Sequence, residues 1–256
     1  MHLILPLRVT DDSIALRKAA LRRGWAVERL PGWRISSPPD PQDALAIYGE
    51  PLFARLVARQ CDRFLLEPPA DWLTHLPMDL LRRRVRAAQA RDLASVELPA
   101  FIKPVDDKIF PAKVYRHPNE LPTIADDAIL ISEPATMQQE FRVFCQGGEP
   151  VTASRYAVAG ELDVAPLGPG DPFHKAVFDT AQRALHAAPA QTPTTLVVDV
   201  ALLNDGQWVV VEANPCFGSG LYACDPDPVL DVLSAACLKP EDIVGIEHLV
   251  QQLVVE

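Results

Sequence analysis

Through the first hundred residues, short apolar runs alternate with amphipathic ones, the pattern of strands and helices laid side by side. Leu3 to Val9 reads as a strand. Asp11 or Asp12 caps a helix running to Arg23, and Gly24 stops it. Trp25 to Leu30 reads as a second strand, the proline-rich stretch 31–43 as a loop, and Ala44 to Tyr48 as a short strand. Pro51 opens a helix that reaches Cys61, and Arg63 to Leu66 is a further strand. These elements predict a small α/β layer with a partly parallel sheet. Residues 78–96, MDLLRRRVRAAQARDLASV, put Leu81, Val85 and Ala88 on one face and predict a helix. Its arginines form either a solvated face or a source of one phosphate-binding cation.

From residue 98 the pattern turns to strands. Ala100 to Pro104 places Lys103 at the end of an apolar run, Ala112 to Arg116 contains Lys113, and Ala128 to Glu133 ends in Glu-Pro. MQQEFRVFCQ and EPVTASRYAV flank Gly147-Gly148 and predict a hairpin with a two-residue loop. In that register Arg142 faces Ala153 and is left to bind something else, while Glu140 faces Arg155. Phe141, Val143 and Cys145 form the opposite, core face. Glu140, Arg142 and Arg155 then share one side, either as a surface salt bridge with a spare arginine or as a polar wall for anions. Asp171-Pro172 opens a helix to Ala188, and residues 225–238 and 240–253 read as two closing helices.

Leu196 to Gly220, LVVDVALLNDGQWVVVEANPCFGSG, reads as two apolar strands joined by Asp205-Gly206. With a two-residue loop, Asp199 lies directly opposite Glu212. Opposed Cβ atoms stand about 4.5–5.5 Å apart, where like charges repel. A cation between them converts repulsion into binding. Asn214 shares the face of Glu212 because strand side chains alternate. These hard oxygen donors suit magnesium or manganese, and magnesium so held commonly accompanies phosphates. The other reading is an ordinary hairpin with one acid of raised pKa.

Composition narrows the classes. A chain of 256 residues, 48% apolar and 23% charged, can bury a sizeable core. A net charge of −10 argues against nucleic acid as the main partner. No apolar run reaches the ~18 residues of a membrane span, and MHLILPLRVTDD lacks the length of a signal peptide. Five cysteines without a CxxC pattern predict free thiols and a cytoplasmic setting rather than zinc.

Four motifs in order then carry a resemblance: FIKP at 101–104, ISEP at 131–134, EFRVFC at 140–145 with SRY at 154–156, and VVDVALL followed by VVVEANPCFGSG. Together they resemble the ATP-grasp superfamily, most nearly the RimK-like ligases, over roughly residues 98–224. The resemblance implies an α+β ATP-grasp fold: an N-terminal α/β lobe (1–97), a small central lobe (98–135) and a C-terminal metal-binding lobe (136–256), with ATP between the last two. It implies Asp199, Glu212 and Asn214 as ligands of Mg2+ or Mn2+. Lys103 would contact ATP phosphates. Glu133, Pro134 and Ala135 would form the hinge at the adenine, and Glu140 would reach the ribose or the metal side. Arg142 and Arg155 would lie near the transferred phosphate. Many relatives have a glycine-rich flap; VDDKIFPAKVY has no glycine, so Lys108 and Lys113 would compensate by charge. Arg84 is the candidate for a further cation ahead of the central lobe.

The implied reaction is ATP-dependent joining of a carboxylate to an amine through an acyl phosphate, the amine and carboxylate being small molecules or peptides. Two alternatives stay open: a phosphotransferase, and a non-catalytic ATP-binding protein. A homodimer is also open.

Overall fold

The computed structural model describes residues 1–105, 109–124 and 127–250. Three strands, β1 (His2–Pro6), β2 (Ala26–Leu30) and β3 (Leu45–Ile47), form a parallel sheet in the order β2-β1-β3. Leu3, Ile4 and Leu5 are fully buried, as expected where helices cover a parallel sheet. Helix α1 (Asp11–Arg22) is capped by Thr10, one residue before the expected acids. Thr10 Oγ1 accepts from the Ser13 amide at 3.2 Å, and Ser13 Oγ accepts from the Thr10 amide at 3.0 Å. That reciprocal pair satisfies two of the helix's orphan donors. Gly24, at φ 72°, ends the turn. Helix α2 (Pro51–Gln60) has proline in its first turn, as expected.

Strand β4 (Phe64–Leu65) follows, and then the expected long helix over 78–96 is absent. Helix α3 (Met78–Leu81) is one turn long and ends at Arg82 in the left-handed region, φ 52°. Val85–Gln89 is strand β5. It belongs to a four-stranded sheet, order β5-β8-β6-β7, with β6 (Ala100–Pro104), β7 (Lys113–Tyr115) and β8 (Ala128–Ser132). Pairing with β8 outweighs the helical periodicity of the arginine run. The small sheet thus begins ahead of residue 98, with β5.

The largest sheet is antiparallel, order β11-β10-β9-β12-β13, built from β9 (Met137–Gln146), β10 (Glu149–Val158), β11 (Glu161–Pro166), β12 (Thr195–Leu203) and β13 (Trp208–Asn214). Helix α4 (His174–Ala187) covers one face, where Phe141, Val143, Cys145, Val198 and Val200 are buried as expected of a core face. The other face meets the first lobe. Phe144 and Val197 enter the same core as Leu3, Ile4 and helix α5 (Pro226–Ala235), which packs on α1 and β3. Strand β14 (Cys237–Leu238) pairs with β4.

A closing helix over 240–253 does not form. Residues 240–243 and 247–249 make single 3-10 turns around Gly245, and positions 251–253 lie outside the described residues. All five cysteines are free thiols. Among the described residues, no helix is long and apolar enough to cross a membrane.

Phe144 joins the large sheet to the first lobe's core, so Phe144→Ala should cost about 3–5 kcal/mol. Urea unfolding measures it, and a loss below ~1 kcal/mol would contradict this packing.

Candidate functional site

The β12–β13 hairpin places Asp199 opposite Glu212, by a route the residue types conceal. Leu203 donates to the Gln207 carbonyl at 2.8 Å, so the loop is Asn204–Gly206, three residues rather than two. Gly206 takes φ 82°, which closes such a loop. This shifts the register by one. A bulge at Val211 shifts it back, because Val200 pairs with Val210 while Asp199 pairs with Glu212. Arg83 holds that bulge: its guanidinium donates to the carbonyls of Val210 at 2.9 Å, Val211 at 3.1 Å and Leu81 at 3.0 Å.

Protein cations meet both acids. Arg142 forks onto Asp199 with Nε–Oδ1 at 2.9 Å and Nη2–Oδ2 at 2.7 Å, and Asp199 is 1% exposed. Lys103 Nζ stands 2.8 Å from Glu212 Oε2, and Asn214 Nδ2 donates to Glu212 Oε1 at 2.9 Å. Arg142 is therefore not left unpartnered. The expected register considered only its β10 neighbour, whereas its partner comes from β12 on the other side. Burial raises the Asp199 pKa to about 6; Arg142 opposes this and Glu212 adds to it. Burial also works to raise Glu212, but Lys103, then Asn214 and Arg142, hold it down at about 2. Arg142 itself is raised: burial would lower it, and Asp199 outweighs burial.

Bulges also separate Arg155 from Arg142. Its hairpin has the expected Gly147-Gly148 loop, but irregularities at Val151 and Tyr156 move the pairing. Arg142 faces Ser154, Glu140 faces Ala157, and Arg155 faces Phe141. A one-residue shift turns a side chain to the other face, so Arg155 leaves the polar side and pairs with Asp163 at 2.7 Å. Tyr156 replaces it beside Glu140, with its hydroxyl donating to Oε2 at 2.9 Å. Tyr156 stacks on Tyr222, ring centroids 5.0 Å apart, and the Arg142 guanidinium lies over both rings.

A cavity of about 280 Å³ lies between the small and large sheets. Phe101, Val114, Leu130 and Met137 make it apolar, while Lys103 and Glu212 supply its charged end. Of the expected hinge, Glu133 and Ala135 line it; Pro134, also expected there, is exposed and does not. Glu133 accepts from Arg84 Nε at 2.7 Å and from its backbone amide at 2.8 Å. Arg84 is thus spent at the surface, its side chain 77% exposed, whereas the buried Arg83 lines the cavity. Lys113 also falls away from the cavity. Val114 points in, so its neighbour points out, and the Lys113 ammonium lies over the Tyr115 ring. Lys108 lies outside the described residues. The alternation of Phe101 with Lys103 could have found the cavity wall. Arg83 was hidden by the helical pattern, and Tyr222 had no signal.

Asp199, Glu212 and Asn214 share one sheet face and offer only hard oxygens, which fits magnesium in chemistry. Among the described residues no three His, Cys, Asp or Glu side chains converge as a metal centre, so such a set depends on the Asn214 amide oxygen. Each carboxylate oxygen keeps acceptor capacity beyond its bond to Lys103, Asn214 or Arg142.

Removing one partner strands a buried charge, so Arg142→Gln and Asp199→Asn should each cost about 3–5 kcal/mol. The double variant should lose clearly less than their sum in urea unfolding; simple additivity would show that the two side chains do not depend on each other.

A family model described as an ATP-grasp domain, the second family of its clade, matches residues 80–232. No curated protein matches the chain. Among solved structures, the chain is similar to a RimK-domain ATP-grasp protein from Sphaerobacter thermophilus DSM 20745, with TM-score 0.59, 18% identity, and coverage of 92% of this chain and 98% of that one. It is similar to the D-cycloserine synthetase DcsG, with TM-score 0.56, 17% identity, and coverage of 91% and 99%. It is also similar to the ATP-grasp ligase PsnB, with TM-score 0.51, 15% identity, and coverage of 92% and 99%. At these identities the likeness is one of fold, and it agrees with the expected α+β architecture. The family match spans more than half of the sequence, and the chain belongs to this ATP-grasp family.

Proposed function

We propose that the protein is an ATP-dependent carboxylate–amine ligase. The observation that carries this reading is the meeting of Lys103 with Glu212 at the charged end of an apolar cavity, beside Arg142, Asp199 and Asn214. An apolar slot suits a purine, and converging cations and hard oxygens suit a metal-bound polyphosphate. Similar folds accord with it: DcsG is named as a synthetase, and PsnB is described with a precursor peptide and AMPPNP.

Asp199, Glu212 and Asn214 would hold Mg2+ or Mn2+, which neutralises phosphate charge when bound. Lys103 then has two competing anions. Its flexible stem would let the ammonium turn from Glu212 to a phosphate oxygen. Arg83, rather than Arg84, adds positive charge on the cavity wall. Arg142 has five N–H donors and gives two to Asp199 and one to the Gly220 carbonyl, leaving two for an acyl phosphate oxygen. In the reaction, a carboxylate oxygen bonds to the γ-phosphorus as the β–γ bridge breaks and ADP leaves. The amine nitrogen then bonds to the acyl carbon, the carbon–oxygen bond to phosphate breaks, and phosphate and a proton depart. The chain's own side chains act by positioning and charge, without a covalent nucleophile.

A substrate screen following ADP release tests this, with carboxylates and amines supplied singly and in pairs. Ligation requires both partners. A stable phosphorylated product without amine would instead identify a phosphotransferase, and Mg–ATP binding without turnover an ATP-binding protein. Glu212→Gln should lower turnover by at least about 10²-fold while circular dichroism stays unchanged. Unaltered activity would remove Glu212 from the metal set. Lys103→Met should weaken Mg–ATP binding about tenfold or more, read by calorimetry.

A further inference from the structure

A second and larger cavity, about 620 Å³, opens at the C-terminal ends of the parallel strands. Its lining includes Arg8, Asp12, Trp33, Tyr48, Glu50 and Gly218. Three of these carry charge. Arg8 and Glu50 stand 3.6 Å apart and offset each other at the rim. Asp12 has no cationic partner among the described residues. It accepts from the Tyr48 hydroxyl at 2.9 Å and the Leu221 amide at 3.1 Å, both neutral donors and both on Oδ2. Oδ1 accepts from nothing among the described residues. A carboxylate with one open oxygen on a cavity wall attracts a cationic donor.

The cavity is braced. Arg29 ties the floor together by donating to the carbonyls of Pro6 at 3.0 Å and Ser13 at 3.3 Å, and to Ser13 Oγ at 3.0 Å. Trp33 is 50% exposed on the rim, yet its backbone carbonyl accepts from Gln60 Nε2 at 2.6 Å. Gln60 Oε1 in turn accepts from the Ile35 amide at 3.1 Å. An exposed indole on an anchored segment is a preformed surface for an apolar or cationic group.

The cavity also adjoins the site already described. Gly218 and Gly220 belong to the loop after Asn214. A methyl group at Gly220 would stand 3.5 Å from Asp12 Oδ2 and 3.7 Å from Arg142 Nη1. One glycine therefore separates the Asp12 carboxylate from Arg142.

We propose that this cavity binds the amine-bearing reactant, a primary ammonium compound with an apolar substituent, through Asp12 Oδ1 and the Trp33 indole. Its role as a reactant rests on the ligase reading; its binding does not. One N–H of an ammonium group would donate to the open carboxylate oxygen, leaving the others to water, and the apolar substituent would meet the indole face. Amino acid amides and peptide N-termini have this chemistry.

Intrinsic fluorescence tests it without ATP. The other three tryptophans are buried or half-buried, so Trp33 is the solvent-exposed reporter. Phenylalaninamide should shift its emission saturably, N-acetylphenylalaninamide should not, and Trp33→Phe should remove the signal. Asp12→Asn keeps an oxygen for Tyr48 and Leu221 but removes the charge. It should weaken phenylalaninamide binding about tenfold or more, whereas Asp11→Asn, at an exposed acid outside the cavity lining, should change it little. Calorimetry with the Trp33→Phe protein keeps binding measurable if the signal is lost. The proposal is overturned by equal binding of the acetylated compound, by unchanged affinity in Asp12→Asn, or by no saturation up to about 10 mM. If binding holds and paired substrates release no ADP, the ligase reading falls while the amine site stands. If ADP release holds and binding fails, the reverse applies.

Discussion

The buried ion pair of Arg142 and Asp199 is the constraint around which the site is arranged. Asp199 lies opposite Glu212 on neighbouring strands, and two carboxylates so placed cannot both stay ionised in a dry interior without nearby positive charge. Arg142 enters from the third strand in register, and Lys103 from the small sheet. The two cations differ in reach. Arg142 is planar, buried and held by two bonds to one carboxylate, so it is a fixed part of the wall. Lys103 makes one bond from a flexible stem across the gap between the sheets. The arrangement therefore sets a buried charge held by two bonds beside a charge held by one.

Much of this site was legible because strand alternation is a local rule. Asp199, Glu212 and Asn214 share a face as their spacing implies, and Lys103 reaches them from its strand end. The opposition of Asp199 and Glu212 was reached despite a wrong loop length, since the bulge at Val211 cancels the extra loop residue. The same kind of irregularity had the opposite effect in the other hairpin. Bulges at Val151 and Tyr156 carried Arg155 to the far face and brought Tyr156 in its place. A bulge depends on what caps the displaced carbonyls, here Arg83 from a distant segment, so residue spacing within a hairpin does not reveal it.

Long-range partners were illegible for the same reason. Asp12 appeared only as a capping acid, yet its carboxylate contacts Tyr48 and the amide of Leu221. The segment over 78–96 suggested a helix because its periodicity fits one, and pairing with β8 makes Val85–Gln89 a strand instead. Arg83, bonded to the carbonyls of Val210 and Val211, is buried beside the cavity while Arg84 pairs with Glu133, so two adjacent arginines serve different ends.

Helix α5 has a consequence for the order in which the molecule takes shape. Val229, Leu230, Val232 and Leu233 share a core with Leu3, Ile4, Leu5 and Ile47, more than two hundred positions earlier for the first strand. The first three strands therefore cannot complete their interior as they leave the ribosome. They must wait, partly uncovered, until the residues near 230 have been synthesised. Contacts of such sequence separation slow folding and prolong the exposure of apolar surface. The opening lobe thus closes only once the residues near 230 are present, and the groove at its strand ends, which Gly218 also lines, becomes a finished surface no sooner than residue 218.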